Sequence, residues 1–221
     1  MELKEYQQGV LTKLDRYLAA LQDRREEAED FVEFQKSKGK TATLGDYCRE
    51  AWDQLNTERL LPYLYHGDQP TVAPHLSRHD GLGLSIPNIC FKVPTGGGKT
   101  LLATAALERV QTDYFKRQLG LVLWVVPSEA IYRQTWKQLA NREHPYRQML
   151  ERASGGRVKL LEKGDAFTRR DVEGQLCVML LMLPSAARKS KETLRLFRDS
   201  GRFTSFFPIE DDSEANRALL E

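Results

Sequence analysis

Three consecutive glycines followed by a lysine and a threonine carry the clearest chemical signal in this chain of 221 residues. The run 91–100 reads Phe-Lys-Val-Pro-Thr-Gly-Gly-Gly-Lys-Thr, and an apolar helical pattern follows it. Glycines let a backbone wrap closely around a polyphosphate, and N–H groups at a helix N-terminus point at the anion. In such a loop the lysine reaches the β and γ phosphates and the hydroxyl ligates Mg²⁺. The run is therefore predicted to be a phosphate-binding loop for ATP with Mg²⁺.

The predicted site follows from the roles of these residue types. Lys99 and Thr100 are the predicted catalytic residues, and Thr100 is also the predicted metal ligand. The predicted cofactor-binding residues of the loop are Pro94, Thr95, Gly96, Gly97, Gly98, Lys99, Thr100 and Leu101. The general pattern has Gly or Ala five positions before the last glycine, where this chain has Val93. The alternative, a glycine-rich turn that only starts a helix, does not require the lysine and the threonine.

The residues before the loop predict a helical N-terminal part. Apolar residues between positions 3 and 21 are three or four apart, which is typical of an amphipathic helix with one buried face. A charged helical stretch continues from residue 24, and 36–40 is predicted to be its frayed end and a linker. A second short helix is predicted at 44–56. Glycines and prolines interrupt 65–87, which is predicted to be a loop.

From residue 87 onward, short apolar runs alternate with helical patterns. This alternation predicts an α/β fold with a parallel sheet. The run 121–126 is apolar on both faces and is predicted to be a central strand. The predicted elements are strand 88–93, helix 100–115, strand 121–126, helix 128–141, strand 157–161, strand 176–183 and helix 185–198. Two parts are thus predicted, a helical extension at 1–85 and an ATP-binding domain at 86–221.

Composition excludes several classes of protein. The 33 Lys plus Arg and 31 Asp plus Glu leave a formal charge of +2, so any nucleic-acid binding must come from local patches. The three cysteines are too widely spaced for a disulfide framework or a zinc knuckle, which favours a cytoplasmic location. No apolar run approaches the length of a membrane span, so no membrane association is expected.

The residues around the loop resemble those of a known family of motors. The run 94–100 resembles motif I of superfamily 2 DEAD/DEAH-box helicases, and 125–135 resembles their motif Ia. Tyr6 and Gln7 resemble the upstream glutamine motif that reads adenine. The match of 87–100 and 134–136 is closest to the Res (restriction) subunit of type III restriction enzymes, and it covers the N-terminal part of such a protein.

This resemblance implies a RecA-like P-loop fold and a specific activity. The chain would be the first ATP-binding lobe of a DNA helicase or translocase, which couples ATP hydrolysis to movement on DNA in the full-length protein. Gln7 would join the cofactor-binding residues. The implied partners are DNA, bound through its backbone without sequence preference, a second motor lobe and a modification methyltransferase subunit. The residues implied to contact nucleic acid are Pro127, Ser128, Gln134, Pro184, Ser185, Arg188 and Lys189.

The chain departs from the family pattern at two points. Gln7 lies 92 positions before Lys99, instead of a few tens, so the intervening residues must loop out and return. No Asp-Glu-x-His box follows a buried strand, and Glu210-Asp-Asp212 is predicted to be an exposed loop. The domain at 86–221 is therefore predicted to be an incomplete lobe at the front of a longer protein, inactive as an isolated chain.

Two alternatives to a motor lobe follow from these departures. A nucleotide-binding or interaction module without turnover is consistent with the missing acidic box. A P-loop phosphotransferase would need an arginine-rich lid after the third predicted strand, and the sequence has no such segment. A DNA-stimulated ATPase activity would distinguish the motor from both.

Overall fold

The computed structural model describes residues 3–66 and 68–183, and these form two compact units. One unit ends at Gly98 and the other begins at Lys99. The predicted domain boundary between residues 85 and 86 stays a prediction. Within the described ranges, no helix combines the length and the apolar character that crossing a membrane requires.

Two helices form the core of the first unit. The amphipathic segment and the charged stretch after it make one continuous helix, α1 (Glu5–Ser37). The buried face of α1 has the predicted spacing and includes Leu11, Leu14, Tyr17, Leu18 and Leu21. The second helix, α2 (Tyr47–Thr57), packs against α1. It begins later than predicted because Gly45 has a φ of 63° and Asp46 caps the helix by accepting a hydrogen bond from the Arg49 N–H.

A β-hairpin lies within the segment that the sequence predicted to be a loop. Strands β1 (Tyr63–His66) and β2 (Gln69–Val72) pair in antiparallel register, with Tyr63 opposite Val72. Pro70 had favoured a loop, but a two-stranded ribbon bonds on one side only and tolerates a proline. The prediction of an unstructured segment is therefore wrong at the hairpin, although most of 73–87 has no regular structure.

The predicted strand at 88–93 is not a strand in the structure. These residues have no ladder partner in the described part of the chain. Asn88 is instead held by two hydrogen bonds: its side-chain amide donates to the Leu76 carbonyl at 2.9 Å, and its backbone carbonyl accepts from the Tyr17 hydroxyl at 3.5 Å. An apolar run satisfies the sequence pattern for a strand, but a strand also needs backbone partners at its edges.

The second unit alternates helices with strands, as predicted. Its helices are α3 (Lys99–Arg109), which continues as a π-helical turn (Val110–Tyr114), α4 (Glu129–Ala140), α5 (Pro145–Ala153) and α6 (Arg169–Gly174). Its strands are β3 (Gly120–Val126), β4 (Val158–Leu161) and β5 (Leu176–Met182). α5 and α6 were not predicted, although Pro145 at the first turn of α5 is a helix-start signal. The predicted helix at 185–198 lies outside the described residues.

The three described strands of this unit form a parallel sheet in the order β3-β5-β4. The predicted α/β fold with a parallel sheet is confirmed. The prediction that 121–126 is the central strand is wrong for this sheet, because β3 lies at its edge and Leu123 and Val125 are each 46% exposed. β5 has the central position, and its residues from Leu176 to Leu180 are buried.

Alternate residues of β5 build the two sides of the core. Leu176, Val178 and Leu180 pack with Leu139 of α4 and Leu150 of α5. Cys177 and Met179 point to the opposite face, where they join Leu161 and Phe167. Burial raises the pKa of the Cys177 thiol to about 11, so this cysteine is held as an unreactive core residue.

Candidate nucleotide-binding site

The glycine loop has a backbone that only glycine adopts readily. Gly96 and Gly98 have φ angles of 76° and 74°, in the left-handed region. Between them, the Gly97 N–H donates to the Pro94 carbonyl at 3.0 Å and closes a tight turn. A Cβ added at Gly97 would lie 2.6 Å from Val93 Cγ1 and 2.9 Å from the Pro94 carbonyl oxygen. The loop therefore requires all three glycines.

Val93, the departure from the general P-loop pattern, also has a structural explanation. Its side chain lies where the Cβ of a larger residue at position 97 would be. Because Gly97 leaves this space open, a valine is accommodated at a position where the pattern has Gly or Ala. The substitution therefore does not conflict with the turn.

Two side chains at the start of α1 bind the same carbonyl of the loop. The Tyr6 hydroxyl donates to the Gly97 carbonyl oxygen at 2.7 Å, and the Gln7 side-chain amide donates to it at 3.1 Å. Gln7 is 4% exposed. Its amide oxygen accepts a hydrogen bond of 2.9 Å from the Lys4 N–H, which fixes the orientation of the amide. The structure thus brings Gln7 to the glycine loop, whereas its implied role in adenine binding stays a prediction.

The residues between Gln7 and the loop fold out and return within the first unit. The return is fixed by Tyr47, which donates to the Ser85 carbonyl at 3.0 Å, and by Trp52, which donates to the Ala73 carbonyl at 2.9 Å. α2 and the hairpin therefore belong to the long insertion that the sequence predicted. The insertion does not prevent the contact between Gln7 and Gly97.

A polar cluster around Asp46 anchors the last part of this insertion. The Asp46 carboxylate accepts hydrogen bonds from the Ser77 and Ser85 hydroxyls and from the Arg49 N–H. Burial on its own would raise the pKa of Asp46, but these hydrogen bonds outweigh it and leave the pKa below its ordinary value. The carboxylate is therefore held in its charged form, where it joins the loop at 77–85 to the N-terminus of α2.

The lysine and the threonine of the motif are the first two residues of α3. Lys99 is exposed and Thr100 is half-buried. The side chain of Leu101 is buried at 4% exposure, so this residue offers a ligand only its backbone N–H. The Thr104 hydroxyl donates to the Thr100 carbonyl at 2.8 Å, which stabilises the first turn. The roles of Lys99 in phosphate binding and of Thr100 in Mg²⁺ binding stay predictions.

The family comparison identifies the region that contains this loop. Residues 82–199, more than half of the chain, match the family described as "Type III restriction enzyme, res subunit". The chain belongs to this family. No curated protein and no solved structure matches it. Membership in the type III restriction Res-subunit family confirms the RecA-like P-loop fold and makes the chain a helicase-like ATP-binding module.

The Res-subunit match begins at residue 82, so α1 lies outside it. Of the two α1 residues at the loop, the sequence prediction included Gln7 among the site residues and missed Tyr6. The signal was present, since the two residues are adjacent in the segment that resembles the glutamine motif. Only the structure shows that the tyrosine hydroxyl reaches Gly97.

The predicted nucleic-acid contacts of this Res-family chain lie partly within the described residues. Pro127 and Ser128 are exposed at the start of α4, and Gln134 is exposed on the second turn of that helix. Ser128 is the N-cap of α4 but makes no side-chain capping hydrogen bond. Pro184, Ser185, Arg188 and Lys189 lie outside the described residues, so their roles stay predictions.

Proposed function

We propose that this chain binds ATP with Mg²⁺ through its glycine loop and serves as the ATP-binding lobe of a DNA helicase or translocase. The observation that carries the proposal is the tight turn at Gly96–Gly98, which is tied to α1 through the Gly97 carbonyl. A turn that only starts a helix has no need of these additional bonds. The family match to residues 82–199 supports the same function.

The donor set of the loop fits a nucleoside triphosphate with its metal. The backbone N–H groups of Gly96, Gly98 and Leu101 would hold phosphate oxygens, with Gly97 keeping the turn closed and Pro94 and Thr95 shaping the entry to the loop. Lys99 would supply a positive charge to the β and γ phosphates, and the Thr100 hydroxyl would be a ligand to Mg²⁺. A bound Mg²⁺ neutralises charge that develops on the transferring phosphoryl group.

We extend the proposal to nucleic acid at the start of α4. A helix N-terminus with an exposed hydroxyl is a phosphate site that does not depend on base sequence. Ser128 occupies this position, and the exposed Gln134 lies further along the same helix. The backbone of one DNA strand is the proposed ligand. In the full-length protein, ATP hydrolysis would drive movement along DNA, with a second motor lobe and a modification methyltransferase subunit as partners.

A binding module without turnover is the second candidate for the 221 residues. The observation in its favour is that no Asp-Glu-x-His box follows a buried strand in the sequence. Activation of water and stabilisation of the transferring phosphoryl group need acidic residues and arginines beyond the P-loop itself. Both candidates share ATP binding and differ only in hydrolysis.

Calorimetric titration with Mg·ATP tests the part that both candidates share. Native protein should bind, and Lys99→Ala should lose binding because the phosphate charge is then uncompensated. Lys36→Ala, in the last turn of α1, is the matched control and should bind like the native chain. Absence of binding by the native chain, or equal affinity of Lys99→Ala and native protein, would refute the proposal.

A further inference from the structure

The Gly97 carbonyl oxygen accepts two hydrogen bonds from α1, one from Gln7 and a second from Tyr6. Tyr6 donates at 2.7 Å and Gln7 at 3.1 Å. A carbonyl oxygen has two lone pairs, so both bonds can form at once. The amide of Gln7 also lies 3.3 Å from the Tyr6 hydroxyl, so the three groups form one network.

Fixing this carbonyl also fixes the N–H group of the next residue. None of the peptide bonds among residues 3–66 and 68–183 is cis, and in a trans peptide the C=O and the following N–H point in opposite directions. The bonds from α1 to Gly97 therefore direct the Gly98 N–H away from α1. This peptide would otherwise rotate easily, since Gly97 and Gly98 on its two sides have no Cβ to restrict it.

The Tyr6 side chain binds the Gly97 carbonyl without being part of the hydrophobic core. It is 43% exposed, whereas Gln7 beside it is 4% exposed. Loss of the Tyr6 hydroxyl removes its hydrogen bond to the Gly97 carbonyl and the longer one from the Gln7 amide, but no buried apolar surface. The contribution of this hydroxyl to loop geometry can therefore be separated from the stability of the fold.

We propose that Tyr6 is a positioning residue that sets the Gly97–Gly98 peptide for polyphosphate binding, independently of the nucleotide base. The inference rests on the proposed ATP site. It differs from base reading, because the hydroxyl contacts the backbone of the loop. Tyr6 then acts on the phosphate part of any nucleotide, and its loss weakens adenine and guanine nucleotides by the same factor.

The test compares Tyr6→Phe with native protein in competition of Mg·ADP and Mg·GDP against a fluorescent ADP analogue. The two diphosphates share their phosphates and differ only in the base. We expect affinity to fall about five-fold for both, the value of one neutral hydrogen bond, with an unchanged ratio between them. Without nucleotide, the melting midpoint of Tyr6→Phe should equal that of native protein. If the role of Tyr6 were purely structural, the substitution would lower this midpoint.

Tyr65→Phe is the matched control, since Tyr65 lies in the hairpin and is 73% exposed. It should bind both nucleotides like native protein. Equal affinities of Tyr6→Phe and native protein, or a loss confined to ADP, would overturn the inference. Binding that depends on Lys99 but not on Tyr6 would leave the proposed ATP site standing, whereas absence of nucleotide binding by the native chain would overturn both.

Discussion

Gln7 and Gly97 are 90 positions apart in the chain, yet the side-chain amide of one donates to the carbonyl of the other at 3.1 Å. The start of α1 therefore lies against the glycine loop within a single compact unit. The Lys4 N–H binds the amide oxygen of Gln7, so only the amide nitrogen is directed to Gly97. Replacing the donor at position 7 by an acceptor should therefore disturb the Gly97 carbonyl directly.

Gln7→Glu should weaken nucleotide binding, and acid should partly restore it. The introduced carboxylate would keep the acceptor for Lys4 but place a second oxygen against the Gly97 carbonyl, where a donor is needed. An unsatisfied buried pair of this kind predicts a loss of about ten-fold or more in affinity. Protonation of the carboxyl supplies a donor again, so the loss should shrink from about pH 8 to about pH 5.

Titrations of this variant with Mg·ADP at both pH values check the prediction. Gln8→Glu is the matched control, because Gln8 is exposed and its amide donates to the Leu3 carbonyl instead of the loop. It should follow native protein at each pH. Equal affinities of Gln7→Glu and native protein at the higher pH would show that the amide does not support the loop.

The 221-residue chain should hydrolyse ATP no faster than background, with or without DNA. Positioning water and stabilising the transferring phosphoryl group require the acidic box and arginines from a second lobe. Phosphate release measured with native protein and with Lys99→Ala gives the comparison. Turnover that disappears in Lys99→Ala would contradict the prediction and would direct attention to Asp211 and Asp212, outside the described residues.

Ser128→Asp should weaken oligonucleotide binding without destabilising α4. Aspartate is as good an N-cap as serine, so the helix should be retained. Its negative charge at the start of the helix should repel a DNA phosphate. Fluorescence anisotropy over a series of salt concentrations should show weaker binding and a shallower salt dependence than native protein has.

The control for Ser128→Asp makes the same change of charge at the other end of the helix. Asn141 is the C-cap of α4, and its side-chain oxygen accepts from the Glu143 N–H, a role that aspartate can keep. Asn141→Asp should bind the oligonucleotide much like native protein. Equal losses in both variants would mean that net charge, and not a site at Ser128, determines binding.

Asp171 should stabilise the second unit at neutral pH and lose this effect in acid. Hydrogen bonds from Lys159 Nζ at 2.7 Å and from the Thr168 N–H at 2.8 Å hold its pKa at about 2. An unfolded aspartate has a pKa of about 3.9, so the charged form favours folding above that value. The contribution is lost as pH falls from about 4 through about 2.

Melting temperatures of native protein and Asp171→Asn, measured across this pH range, test the assignment. The native chain should be the more stable at neutral pH, and the difference should shrink as the medium becomes acidic. Carboxyl titration by NMR should give the lowered pKa directly. A difference that stays constant with pH would show that the charge of Asp171 does not stabilise the fold.

Local sequence was sufficient for the elements whose signals are local. The three-four spacing in α1 and the alternation of helices and strands in the second unit each predicted elements that the structure contains. The reason is that helix periodicity and glycine conformations depend on neighbours a few positions away. The family of residues 82–199 was likewise recognisable from motif residues.

Tertiary structure decided the features that depend on distant partners. The segment 88–93 has the pattern of a strand but lacks a ladder, and β3 has the pattern of a central strand but lies at the edge of the described sheet. Sheet position depends on which strands pair, and local sequence does not specify this. The bonds of Tyr6 and Gln7 to Gly97 depend in the same way on how the long insertion returns, so the motifs name the residues but only folding brings them together.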